Sequence, residues 1–201
     1  MAQAHDTKQR LLDSAQKLFY ARSYEDVGVQ EICQTAGVKK GSFYHFFPSK
    51  RDLTLAMLDE SWKAFRETVL PEVFAPDIPP LKRIERLLET QYHHHKAVKE
   101  ETGQVLGCPY GNLAGELSTQ DEVIRERVVR IFRDLQVPIE AALDQAIAAG
   151  DLTKLDSRAT ASAMVAYLEG LTLLAKTQND PEVVRQLGPA MLNLVVPVTE
   201  G

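Results

Sequence analysis

Apolar side chains recur at helical spacing along most of the chain, and no segment shows the strict alternation that predicts a β-strand. The stripe within residues 6–19 predicts a first helix. Val29, Ile32, Cys33 and Ala36 then follow at positions i, i+3, i+4 and i+7, which places them on one face of a second, shorter helix. The chain therefore begins as a series of amphipathic helices.

A glycine and a proline delimit the segment that follows. Gly37 favours a tight turn because glycine tolerates a positive φ, and Pro48 ends the next helix, which is predicted from Val38 to Phe47. Two short helices joined by a turn of three or four residues form a helix-turn-helix, whose second helix enters the major groove of DNA. Phe43 and Phe47 are predicted to be core residues that hold this second helix in place.

The rest of the pattern predicts longer helices with two interruptions. Residues 71–80 contain four prolines and are expected to form a stiff connection, and the glycine-rich segment 103–116 is expected to be a broken helix. The whole chain is therefore predicted to be all-α, with about nine helices. Its longer helices are predicted over residues 49–69, 81–100 and 121–149, from about residue 156, and from Pro181 onward.

Composition is that of a soluble globular protein, with 44% hydrophobic and 25% charged residues. No run of 18 apolar residues predicts a membrane span, and charges near the N-terminus interrupt any signal peptide. We therefore expect a cytoplasmic protein without membrane contact. Two cysteines are too few for a disulfide framework or a four-cysteine metal site, and neither a cofactor nor a metal is predicted.

The net charge of −5 argues at first against a DNA-binding protein. The charges are unevenly distributed, however. Residues 1–51 hold eight basic and five acidic side chains, a local charge of +3, and residues 52–201 carry −8. Because DNA responds to the local field of the surface that it meets, the basic N-terminal segment is compatible with DNA binding.

One stretch of sequence points to a family. Residues 37–53, G-V-K-K-G-S-F-Y-H-F-F-P-S-K-R-D-L, resemble the DNA-binding signature of the TetR family of bacterial transcriptional regulators. The resemblance implies a three-helix DNA-binding head over residues 1–48 and a helical ligand-binding and dimerisation body over residues 49–201. It also implies a homodimeric repressor that binds palindromic, double-stranded operator DNA and is released by a small-molecule effector.

The DNA contacts are predicted from this resemblance and from local chemistry. The family commonly has Ser or Thr where this chain has Gly28 and Val29, which leaves Gln30 as the nearest polar side chain for a phosphate. Gly41 would let the backbone approach the groove, and polar and cationic side chains would donate to phosphates or base edges. The predicted DNA-binding residues are Gln30, Lys39, Lys40, Gly41, Ser42, Tyr44, His45 and Lys50.

The glycine-rich segment supplies the centre of the predicted effector site. Residues 107–113, G-C-P-Y-G-N-L, resemble an element of one TetR branch whose members respond to small reactive or unsaturated compounds. Cys108 at a helix start is a hypothetical sensor of an electrophile or oxidant, because a helix N-terminus stabilises a thiolate. An inert buried thiol is the open alternative. The predicted effector-binding residues, an apolar set with a few polar groups, are Trp62, Phe65, Tyr92, Cys108, Tyr110, Asn112, Glu116 and Tyr167.

The last two predicted helices are apolar on more than one side. Such a helix needs covering beyond its own subunit, and in the TetR family the last two helices form the dimer interface. One face packing within the chain and another against a partner are compatible. The predicted interface residues are Leu171, Leu174, Leu187, Met191 and Val195.

Two further polar features have no assigned function. His93, His94 and His95 are consecutive, and because neighbours on a helix point about 100° apart, the three cannot share one metal ion. Glu169 lies in a predicted apolar helix, where a buried acid needs a partner that the sequence does not name.

Three alternatives to a repressor stay open at this point. The first is a transcriptional activator of the same fold. The second is an enzyme with Cys108 as nucleophile, which lacks any catalytic motif, so no catalytic residue is predicted and the chain is expected not to be an enzyme. The third is an adaptor whose head docks a protein, against which the Lys-Lys-x-Ser-x-Tyr-His surface argues.

Overall fold

A computed structural model of the chain describes residues 2–195, and across that range every regular element is helical. These residues form ten α-helices, one of them a single turn, and one 3₁₀ helix. The predicted all-α fold is confirmed. The helices are α1 Ala2–Ala21, α2 Val29–Thr35, α3 Lys40–Phe46, α4 Lys50–Thr68, α5 Leu70–Val73, α6 Pro80–Thr102, α7 Pro109–Leu117, α8 Glu122–Ala149, α9 Ser157–Gln178 and α10 Glu182–Leu187, followed by the 3₁₀ helix Gly188–Leu194.

Three boundaries differ from the sequence prediction. α1 begins at Ala2, ahead of the start predicted at residue 6. The predicted stiff connection over 71–80 contains most of α5, because a proline at the first turn of a helix loses no intrahelical hydrogen bond. The final helix is divided at Gly188, where α10 gives way to the 3₁₀ helix, since Pro189 has no N–H to continue the α-helical pattern.

The described residues up to 64, together with 109–129, form one compact unit. We call it the N-terminal unit. It contains α1, α2, α3 and α7, the first part of α4 and the beginning of α8. Its largest fully buried side chains are Leu11, Ile32, Phe43, Leu53, Leu58, Leu117 and Ile124.

Residues 65–108 and the described residues from 130 form a second compact unit, which we call the body unit. α10 packs against α6 and α9, and the 3₁₀ helix packs against α9. The largest fully buried side chains are Ile84, Leu87, Ile131, Ile139 and Leu143. These units are defined by compactness; the functional division between residues 48 and 49 stays a prediction.

Both ends of α9, in the body unit, are capped. The Asp156 carboxylate accepts a hydrogen bond of 2.9 Å from the Ala159 N–H, as expected for the N-cap of α9. Asn179 ends α9 with a φ of 50°, and its side chain bonds to the N–H of Val105 and the carbonyl of Gly103.

In residues 2–195, no helix has the length and apolar character needed to cross a bilayer.

Candidate DNA-binding surface and effector residues

The turn between α2 and α3 has the geometry of a helix-turn-helix. Gly37 adopts a φ of +65°, which favours glycine, and the Val38 N–H donates to the Cys33 carbonyl at 2.9 Å. Phe43 is 0% exposed and Phe47 is 3% exposed. The prediction that both phenylalanines are core residues is confirmed, and their burial determines which side of α3 faces outward.

The outward side of α3 carries most of the predicted DNA-binding residues. Tyr44 is 51% exposed, which is unusual for a large aromatic side chain, and the Lys40 ammonium lies 5.9 Å from its ring centroid. Ser42 is half-buried. The structure brings these residues together on one surface, which we call the α3 surface. Its exposed members are Lys39, Lys40, Gly41, Tyr44 and His45, and Gln30 is exposed on α2.

Lys50 has a different environment from the other predicted DNA-binding residues. Its ammonium donates to the carbonyls of Tyr24 at 3.0 Å and Val27 at 3.3 Å, and lies 3.9 Å from the Tyr24 ring centroid. Lys50 is half-buried. It therefore binds its own chain at the connection between α1 and α2, residues 22–28, which we call the α1–α2 turn.

Glu116, predicted to bind the effector, lies against the same turn. Its carboxylate accepts hydrogen bonds from the Ser23 hydroxyl at 2.8 Å and from the backbone N–H groups of Tyr24 at 2.8 Å and Glu25 at 2.9 Å. Burial alone would raise the pKa of Glu116, but the hydrogen bonds outweigh it and hold the pKa below its usual value. Sequence reasoning missed this role because more than 90 residues separate Glu116 from the turn.

The other predicted effector residues are divided between the two units. In the N-terminal unit, Trp62 is only 3% exposed and meets Tyr110 edge to face, with ring centroids 6.1 Å apart. Asn112 is half-buried in α7. In the body unit, Phe65 is half-buried, and the Tyr167 hydroxyl donates to the Leu187 carbonyl at 2.8 Å. Tyr167 therefore connects α9 to the end of α10.

Cys108 is half-buried and forms a hydrogen bond with the Glu169 side chain, which identifies the partner that Glu169 requires. Burial raises the pKa of the Glu169 carboxyl, and the bond from Cys108 offsets part of that rise.

Cys33, the other cysteine, is 3% exposed, and burial raises the pKa of its thiol. The prediction that Cys33 is a core residue is confirmed.

A groove of about 680 Å³ lies in the body unit between α6 and the segment formed by α10 and the 3₁₀ helix. Leu88, Val184 and Leu192 contribute apolar surface, and Glu89 and Lys96 contribute charge. Of the predicted effector residues, Tyr92 alone lines this groove within the described chain. Its hydroxyl donates to the Glu182 carboxylate at 2.6 Å.

The three consecutive histidines separate as helical geometry requires. His93 and His94 are exposed, and His95 is 1% exposed. Neither ring nitrogen of His95 has a hydrogen-bond partner within residues 2–195. Burial, and secondarily the charge of His94, lowers the pKa of His95 to about 4. No cluster of three His, Cys, Asp or Glu side chains in the described chain is suited to a metal ion.

The predicted dimer residues differ in their exposure. Leu171, Met191 and Val195 are at most 4% exposed because they pack inside their own chain, so they have no surface to offer a partner. Leu174 and Leu187 are each 44% exposed. In α9 and the segment after it, sequence reasoning missed the exposed apolar side chains of Leu173 at 59% and Leu194 at 43%.

Two family models match the chain. The model of the bacterial regulatory proteins of the tetR family matches residues 11–57, which contain the helix-turn-helix. The model of the tetracyclin repressor-like C-terminal domain matches residues 80–191, more than half of the chain. The protein belongs to the TetR family. Regulators of this family bind operator DNA as dimers and respond to small-molecule effectors.

Full-length relatives agree with this assignment. An uncharacterised HTH-type regulator of Lactococcus lactis is 32% identical over 179 residues, covering 89% of this chain and 88% of the relative. The HTH-type transcriptional repressor DhaR of Mycobacterium sp. strain GP1 is 27% identical over 194 residues, covering 96% and 94%. A crystal structure of the regulatory protein TetR from Rhodobacter sphaeroides superimposes with a TM-score of 0.81 and 27% identity, covering 94% and 98%.

Family membership establishes the general function. The chain is a DNA-binding transcriptional regulator with an N-terminal helix-turn-helix, and the prediction that it is not an enzyme is confirmed. The branch suggested by residues 107–113 stays a prediction.

The variant Gly41→Ala distinguishes the effect of this position on stability from its effect on operator binding. An added Cβ there meets no described atom within 4 Å, and alanine is the better helix former. We expect Gly41→Ala to raise the free energy of unfolding by up to about 1 kcal/mol. If the backbone approaches the groove, the same methyl group weakens operator binding about tenfold, equivalent to about 1.4 kcal/mol.

Gly115→Ala is the matched control, since Gly115 is also helical, exposed and free of nearby atoms in the described chain. Urea denaturation and fluorescence anisotropy with labelled operator measure the two effects. Equal operator affinity for Gly41→Ala and Gly115→Ala would show that Gly41 does not approach DNA.

His95 makes the stability of this TetR-family protein sensitive to acid. The unfolded chain protonates His95 near pH 6.5, and the folded chain does so only near pH 4, so the unfolded state binds the extra proton between these values. Above pH 6.5 both states hold a neutral His95, and this group does not make the stability depend on pH. On acidification below pH 6.5, the free energy of unfolding falls by about 1.4 kcal/mol per pH unit, which amounts to roughly 3 kcal/mol by pH 4.

The variant His95→Leu tests this dependence by chemical denaturation at pH 4.5, 5.5, 6.5 and 7.5. We expect a flatter profile below pH 6.5 than in the parent protein, and an unchanged profile for His93→Leu, because His93 is exposed. Parallel profiles for the parent protein and His95→Leu would assign the acid sensitivity to other groups.

Proposed function

We propose that the protein is a ligand-responsive transcriptional repressor that binds a palindromic operator as a homodimer. The α3 surface carries the proposal: Lys39, Lys40, Tyr44 and His45 are exposed side by side while Phe43 is fully buried beneath them. Such side chains donate to phosphates and base edges from a helix in the major groove. Because operators lie in the bacterial cytoplasm, the proposal places the protein there.

The short length of α3 favours a homodimer. α3 has seven residues and contacts few bases. Two copies related by a two-fold axis, with recognition helices about 34–36 Å apart, would read both halves of a palindrome. Leu173, Leu174, Leu187 and Leu194 give α9 and the segment after it the exposed apolar surface that an interface requires.

The effector is proposed to be a small electrophile or oxidant that acts near Cys108. Cys108 is half-buried, so it is neither sealed in the core nor fully solvated, and it forms a hydrogen bond with the Glu169 side chain. A coupling of about 1–3 kcal/mol between effector and operator would change affinity by roughly 5- to 150-fold. That range is sufficient for induction.

Binding to the protein's own promoter tests the DNA-binding part of the proposal. We expect preference for promoter DNA over competitor DNA, with affinity falling as salt rises. Lys40→Ala should lower the salt slope by about 0.9 for each phosphate that the lysine no longer neutralises, and Lys154→Ala, an exposed lysine between α8 and α9, should leave it unchanged. Equal binding to promoter and competitor DNA would refute the proposal.

Thiol chemistry tests the effector part separately. We expect N-ethylmaleimide or hydrogen peroxide to release the parent protein from operator DNA and to leave Cys108→Ser bound. Cys33→Ala serves as the control, because Cys33 is buried and should not be needed for release. Release of Cys108→Ser to the same extent as the parent protein would exclude Cys108 as the sensor.

A further inference from the structure

The α1–α2 turn depends on a side chain from α7 to satisfy its backbone. Within it, the Val27 N–H bonds to the Tyr24 carbonyl at 3.3 Å, and the Asp26 N–H reaches the Ser23 hydroxyl at 3.4 Å. The consecutive N–H groups of Tyr24 and Glu25 instead donate to the Glu116 carboxylate. Charge-assisted bonds of this kind are stronger than bonds between neutral groups. Glu116 therefore replaces the carbonyls that a longer helix would have provided.

A cation holds the turn from its carbonyl side. The Lys50 ammonium donates to the carbonyls of Tyr24 and Val27. The peptide group between Tyr24 and Glu25 therefore donates its N–H to Glu116 and accepts from Lys50 at its carbonyl. The charge of Lys50 also favours the ionised form of Glu116 and contributes to its lowered pKa. The Tyr24 ring is buried and lies 5.2 Å from the Phe19 ring, centroid to centroid. Tyr24 is thus fixed on three sides.

The α1–α2 turn leads directly into α2. Gly28 is the N-cap residue of α2, and within the described chain no side chain caps this helix. α2 and α3 have seven residues each, and isolated helices of that length are not stable in water. Their orientation therefore depends on tertiary contacts and on the turn that leads into α2.

We propose that Glu116 is a positioning residue for operator recognition, through which α7 sets the α1–α2 turn and hence the placement of α2 and α3. This inference rests on the proposed binding of operator DNA. All three donors bind the same carboxylate, so a movement of α7 that displaced Glu116 would break the three hydrogen bonds together. Glu116 thereby makes the DNA-reading helices sensitive to the position of α7.

Glu116→Gln and Glu116→Ala test the proposal, with Glu126→Gln, an exposed glutamate in α8, as the matched control. Glutamine keeps one acceptor oxygen but places an NH₂ group against backbone donors. We expect the amide hydrogens of Tyr24 and Glu25 to exchange at least tenfold faster in both variants, measured by NMR. The ratio of operator affinity to non-specific affinity should fall about tenfold, and Glu126→Gln should match the parent protein in both measurements.

Ser23→Ala gives a milder variant that retains the charge of Glu116. It removes one of the three hydrogen bonds to the carboxylate and the longer bond from the Asp26 N–H. We expect a smaller change in the same direction, with an unfolding transition close to that of the parent protein. A graded series from parent protein to Ser23→Ala to Glu116→Gln supports positioning, because a loss of folding alone would reduce operator and non-specific binding together.

The failure of this inference differs from the failure of the proposed function. If the parent protein prefers operator DNA and Glu116→Gln keeps that preference while its amides exchange faster, the positioning role is refuted and operator binding stands. If specific and non-specific binding fall equally in Glu116→Gln, the residue is only structural. If the parent protein shows no operator preference, the proposed function itself is refuted.

Discussion

The burial of Phe43 is the contact on which the presentation of α3 depends. A helix of seven residues gains too few backbone hydrogen bonds to offset the entropy of ordering it, so α3 exists because its inner side chains are buried. Phe43 has no exposed surface, and Phe47 at the C-cap is nearly as buried. Fixing these two rings fixes the direction of the opposite side, and Tyr44 and the lysines beside it are exposed for that reason.

Helical periodicity predicted this part of the molecule well, because burial within a short helix is a local property. The spacing of the apolar residues in α2, the glycine at the turn and the proline after α3 each act on their immediate neighbours. A helix was also predicted from about residue 156, and Asp156 is the N-cap of α9, with a carboxylate that bonds within its own helix. The prediction failed at Pro189, where a helix predicted to be continuous changes to a 3₁₀ helix. The spacing of apolar residues continues past this point, and it carries no information about a missing backbone N–H.

The contacts that sequence reasoning missed lie between distant segments. Nothing near Glu116 in the chain indicates that its donors lie at Ser23, Tyr24 and Glu25. Burial of Leu171 and Met191 is also a tertiary result, because each satisfies the apolar pattern of an interface and of a core equally well. Periodicity identifies an apolar face, but only the packed structure shows which face is already covered.

Two buried polar side chains of α6, in the body unit, differ in whether they have hydrogen-bond partners. The Arg83 guanidinium is buried and bonds to the carbonyls of Ile78 and Pro76 and to the Gln145 side chain. His95, buried on the same helix, has no such partner in the described chain. An unpaired buried polar group costs about 1–3 kcal/mol. The hydrogen bonds of Arg83 therefore offset the cost of burying it, whereas no hydrogen bond in the described chain offsets the cost of burying His95.

Lys50 shows what a family signature transfers and what it does not. The signature correctly places a lysine at the start of α4, but the atoms that its ammonium contacts are the carbonyls of Tyr24 and Val27. Turning Lys50 toward a phosphate would break those bonds and leave the α1–α2 turn without its cation. Under the proposed function, the exposed Lys39 and Lys40 would neutralise a phosphate charge at lower cost. In this chain, Lys50 holds the carbonyl side of the α1–α2 turn, and Glu116 binds the N–H groups of the same turn.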